Sequence, residues 1–98
     1  MQKIDIDTKI PIVIFKENGA FIAHSPVLDH SACGDTFEEA KKNFLESVEL
    51  LFEELAEAGK LEKFLLDLGW LKSADAWLPP VVIAHEFAHV EMSIDGRR

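Results

Sequence analysis

Phe15-Lys16-Glu17-Asn18-Gly19-Ala20-Phe21-Ile22 sets a turn dipeptide between two apolar runs. Asn-Gly is a strong hairpin signal, because both central residues of a type I′ turn need positive φ. Upstream of it, Ile4, Ile6, Ile10, Ile12 and Ile14 all occupy even positions. That two-residue period predicts a strand over residues 3–16 with one buried face. Asp5, Asp7 and Lys9 fall on the other face, while Val13 and Phe15 make the second half apolar on both. Pro11 cannot donate to a ladder, so the strand should bend there or lie at an edge. Downstream, residues 20–25 form the second strand, which Pro26 ends. Residues 28–33 suit a short third antiparallel strand, closed by Gly34.

The hairpin leads into a helix. Thr36 is a good N-cap and Glu39 lies three residues on, the spacing of a capping box. Phe37, Ala40, Phe44, Val48, Leu51, Phe52 and Leu55 recur in steps of three and four, which defines one helical face. Leu45 and Leu50 widen it. Gly59 is the expected stop. A shorter helix fits residues 61–68 and stops at Gly69, residues 70–78 read as a loop or weak strand, and Pro79-Pro80 bars any helix from upstream. Residues 81–94 are rich in Val, Ile, Phe and His and are expected as a C-terminal strand. The fold class is therefore α+β in the order β-β-β-α-α-β: an antiparallel hairpin plus third strand, a long covering helix, a short second helix and a terminal strand. Residues 1–98 are read as one domain.

Of the 98 residues, 48% are apolar and 29% charged, a globular balance rather than a disordered one. Apolar runs such as residues 10–15 and 79–84 are far short of the roughly 20 a membrane span needs. The first seven residues carry charges and lack the apolar stretch of a signal peptide. Cys33 is the single cysteine, which rules out an internal disulfide and suits a reducing, cytoplasmic location. The net charge is −8, from 18 acidic and 10 basic side chains. Such a surface repels phosphate backbones, which argues against direct nucleic-acid binding. It would speed encounter with a basic partner, or serve solubility alone.

His85-Glu86-Phe87-Ala88-His89 matches H-E-x-x-H. On a helix the two imidazoles would share a face and could chelate zinc, with Glu86 as general base. Three points oppose that zinc-hydrolase reading. A third ligand is needed, and only Glu91 and Asp95 follow as carboxylates. The flanking Val81-Val82-Ile83-Ala84 favours a strand, where residues four apart lie about 13 Å from each other. The chain is also short for a substrate cleft. His24, His30 and Cys33 lie close in sequence and are the candidates for a metal or nucleophile cluster, though isolated His and Cys are more often packing or surface residues. The helix glutamates read as a solvated face, and Trp70 and Trp77 as interface anchors or core cover.

Taken together, Ser25-Pro26-Val27-Leu28-Asp29, Gly34-Asp35-Thr36-Phe37-Glu38-Glu39-Ala40 and Phe44-Leu45-Glu46-Ser47-Val48-Glu49-Leu50 resemble the HicB-type antitoxin family. Leu68-Gly69-Trp70, then Trp77-Leu78-Pro79-Pro80 and a valine-rich end, are similar to a tail common in those proteins. The likeness covers about residues 8–95. It implies a partial ribonuclease-H-like fold and the role of antitoxin to a HicA-type toxin that cleaves RNA. It also implies a homodimer or higher homo-oligomer, with no cofactor. Relatives often carry an added DNA-binding domain; these 98 residues resemble the stand-alone form, which speaks against autorepression by direct DNA binding. Cys33 stands where relatives often have a polar residue such as glutamine.

The leading functional expectation is thus a binding protein, not an enzyme. Its acidic surface would mask a basic ribonuclease through Asp29, His30 and Ser31, on the short third strand and its approach, plus exposed glutamates. The alternatives are the zinc hydrolase of His85, Glu86 and His89, an orphan HicB-like interaction domain with no toxin, and a nuclease retaining ribonuclease-H chemistry. The last would need several carboxylates at one sheet end to hold two metal ions, an arrangement that Asp5, Asp7, Asp29 and Asp35 do not declare.

Overall fold

The computed structural model describes residues 4–96. Strands β1 (Val13–Glu17), β2 (Ala20–Ser25) and β3 (His30–Gly34) form an antiparallel sheet in the order β1-β2-β3. Asn18 and Gly19 both have positive φ, 52° and 84°, so the hairpin turns where its dipeptide dictates. Ile14 pairs with Ala23, and Ala23 with Ala32, which fixes one row across all three strands. The expected first strand was longer. Its start at Lys3 lies outside the described residues, and residues 4–12 are in no strand. Pro11 has no N–H to donate, and regular pairing begins two residues after it.

Helix α1 (Phe37–Glu57) covers one sheet face. Thr36 Oγ1 accepts from the Glu39 N–H at 3.0 Å, and Glu39 Oε1 accepts from the Asp35 N–H at 2.9 Å. This is the expected box, with its return bond one residue earlier. Ala40 and Phe44 meet Ala23 in a small core, flanked by Ile12, Ile14, Phe21 and Ala32. Strand and helix approach so closely at Gly34 that a Cβ there would lie 2.6 Å from the Ala40 nitrogen. Phe37, at the head of the expected stripe, is instead exposed beneath the Lys41 ammonium.

Both helices end as their glycines predict. After α1, the Lys60 N–H bonds Leu55 O and the Gly59 N–H bonds Ala56 O. After α2 (Leu61–Asp67), the Trp70 N–H bonds Leu65 O and the Gly69 N–H bonds Leu66 O. Each pair is a Schellman motif. A second core joins Val27, Leu28, Leu61, Leu65, Trp70 and Trp77, with Ile4, Ile6 and Phe52 packed against it. Both tryptophans are therefore core residues.

The last β element lies earlier than its sequence signal. β4 (Leu71–Ser73) and β5 (Ala76–Leu78) pair as a separate two-stranded sheet. Residues 79–96, expected to contain the terminal strand over 81–94, belong to no helix or strand. Every residue from 81 to 96 is exposed. Valine and isoleucine favour strands because they pack on a half-buried pleated surface, and this segment has no such surface beside it. The order β-β-β-α-α-β holds, with the β4–β5 hairpin as its final β element.

Candidate protein-binding surface

Alternation along the strands divides their side chains between the two sheet faces. Ile14, Phe21, Ala23 and Ala32 face α1. The neighbours Val13, Phe15, Ile22, His24, Ser31 and Cys33 take the opposite face. The register arranges them in rows, Val13–His24–Ser31 and Phe15–Ile22–Cys33, with Glu17 opposite Ala20 at one end. No described element covers this face: Val13 and Phe15 are 43% and 45% exposed. His24 Nδ1 and Ser31 Oγ share a hydrogen bond of 2.7 Å across β2 and β3. The result is a half-apolar surface with a polar row and an acidic end.

The three residues expected to mask a toxin do not share one surface. Asp29 sits exposed in the turn before β3, with φ of 50°, a left-handed conformation that aspartate tolerates. Ser31 lies on the open face. His30 turns the other way, and its Nε2 shares a hydrogen bond of 2.6 Å with Ser47 Oγ on α1. Its ring packs against Phe44, centroids 5.7 Å apart. Beside it runs an open groove of about 500 Å³ lined by His30, Asn43, Ser47, Leu50 and Glu54 among others. Strand periodicity explains the split: consecutive residues point to opposite sides.

The same alternation separates His24 and Cys33, on the open face, from His30 on the helix side. Among the described residues no three His, Cys, Asp or Glu side chains gather as a metal-holding group. His85, Glu86 and His89 lie in the segment without helix, so the i, i+4 chelating geometry is not formed there. His89 instead lies 3.7 Å from Glu91. Asp5, Asp7, Asp29 and Asp35 are all exposed. Lys63, on α2, is held above the usual lysine range by its hydrogen bond and charge pairing with Asp67, both exposed and unconnected to the sheet face.

Asn43 and Ser47 escaped the sequence reading because their partners are fixed only by the packing of α1. The Asn43 amide donates to Cys33 O at 2.9 Å and so caps the outer edge of β3. Val13 and Phe15 did carry a signal, since they break the polar side of β1. Among the described residues no helix is long and apolar enough to cross a membrane. No family model, curated protein or solved structure matches the chain.

Proposed function

We propose that this chain is an antitoxin-like binding protein that neutralises a HicA-type RNA-cleaving toxin by masking its active surface. The open sheet face carries the reading: an uncovered strip of Val13, Phe15 and Ile22, polar at His24 and Ser31, on a chain of net charge −8. A ribonuclease must attract phosphates and so presents cationic surface. An acidic chain meets such a surface with favourable long-range attraction. An exposed aromatic on the edge strand β1 then supplies the desolvated anchor on which affinity usually depends. The β-β-β-α-α-β order and the motifs of residues 25–50 support the same assignment. Inhibition is steric, and no side chain of this chain need react.

The test is co-expression with the product of the adjacent reading frame. Wild-type chain restores growth and co-purifies with that product. Phe15→Lys, which puts a cation on that face, weakens the complex by roughly 2 kcal/mol or more, about thirtyfold, while the far-ultraviolet spectrum is unchanged. Failure of the wild type to bind or rescue ends the antitoxin reading and leaves an orphan interaction domain.

A further inference from the structure

Residues 81–94 belong to no helix or strand and are exposed throughout, with none of them in either core of the described residues. Residues 81–84 are Val, Val, Ile and Ala, apolar at odd and even positions alike. Ala88, Val90, Met92 and Ile94 then occupy even ones, with His89, Glu91 and Ser93 between. Residues 88–94 thus have the two-residue period of a strand with one apolar face. The proximity of His89 and Glu91 places residues two apart on one side, as in an extended chain. Yet Ile83 is 90% exposed, Val90 81% and Ile94 80%.

The exposed area is more than a compact chain shows. The chain presents 8055 Å² at 11.0 kDa, where a folded monomer of that mass presents about 5,600 Å². Its radius of gyration is 17.2 Å, against about 13 Å for a compact domain of this length. The excess, roughly 2,400 Å² per chain, is enough for the standard-size interface of about 1,600 Å² in total. The same molecule carries the complementary half. Among the described residues β1 pairs only with β2, which leaves its outer edge open. The outer edge of β3 is less available, because Asn43 occupies Cys33 O and α1 packs along that strand. Pro79 and Pro80 lead the segment away, with Pro80 seated near Gly69 and both rings stiffening the junction.

We infer that residues 81–94 are an intermolecular strand, which adds to the β1 edge of a second copy while that copy's segment adds to the first. A chain that bears both an unpaired amphipathic strand and an unpaired sheet edge, and does not join them internally, satisfies both by reciprocal exchange under two-fold symmetry. The ladder fills the backbone groups of β1, and Val90, Met92 and Ile94 gain the half-buried surface that their sequence anticipates. This inference stands apart from the toxin partner and does not rest on it.

Sedimentation velocity across the micromolar range, paired with hydrogen exchange, tests it on the full chain. The wild type should sediment as a dimer with slowed exchange in both β1 and residues 81–94. The double variant Met92→Lys/Ile94→Lys should weaken the dimer at least about a hundredfold. It should speed exchange in both segments together and leave β3 unchanged. The near-ultraviolet signal of Trp70 and Trp77 should also be unchanged, since the substituted side chains are exposed within one chain. A wild type that stays monomeric overturns the proposal. So does a dimer indifferent to the double variant, a dimer lost with no change at β1, or a variant whose tryptophan signal collapses.

Discussion

Trp70 ties together positions 43 residues apart: its indole Nε1–H donates to Val27 O at 2.8 Å, and both residues are buried. Trp70→Phe would remove that donor, strand a buried carbonyl and leave a void. It should cost about 2–4 kcal/mol, read as a fall in the urea midpoint with little change in slope. Gly34 tests packing from the opposite direction. A methyl there would press on the backbone of Glu39 and Ala40, which cannot swing aside as a side chain would. Gly34→Ala should therefore cost about 1–3 kcal/mol by overpacking. Ser25 gives the reverse sign. It is fully buried, and its Oγ has no hydrogen-bond partner among the described residues. An unsatisfied hydroxyl contributes desolvation cost without a compensating bond, so Ser25→Ala should be neutral or stabilise by up to about 1 kcal/mol. A loss of that size in the urea midpoint would show instead that the hydroxyl is bonded.

At the scale of elements, local chemistry decides which parts of the fold were legible. The Asn18-Gly19 turn, the Thr36 cap and the Gly59 and Gly69 stops each depend on residues within a few positions, and each forms where the sequence places it. The β4–β5 hairpin gave no such signal. Its strands are three residues long, and its turn runs through Ala74 at φ 53° rather than through Gly or Asn. A left-handed alanine is strained by about 1–2 kcal/mol, so Ala74→Gly should relieve more than it loses in unfolded-state entropy. The expected outcome is a small rise in melting temperature, and a fall would mean that the turn is not strained. The candidate surface was half legible for the same reason. Val13 and Phe15 announce an apolar outer face, but the pairing of His24 with Ser31, and of His30 with Ser47, depends on register and helix placement. Asp29, His30 and Ser31 are contiguous in sequence, and strand alternation pulls the last two apart.

For the whole molecule, the two small cores and the exposed C-terminal segment behave differently with concentration. The cores join residues of one chain, with Val48 and Ile10 touching both, so their contribution to stability does not depend on how much protein is present. Residues 81–94 contribute nothing to those cores, and any stability they confer must come through a second chain. Association that requires the folded state adds to stability by mass action. The net charge of −8 on each copy opposes it, and salt weakens that opposition. The urea midpoint of the wild type should therefore rise with protein concentration, more steeply in high salt. Met92→Lys/Ile94→Lys should show a midpoint independent of concentration and equal to the wild-type value at high dilution. A midpoint that ignores concentration in both proteins would mean that the exposed strand has no partner in its own kind, and that the area it presents belongs to a different protein's surface.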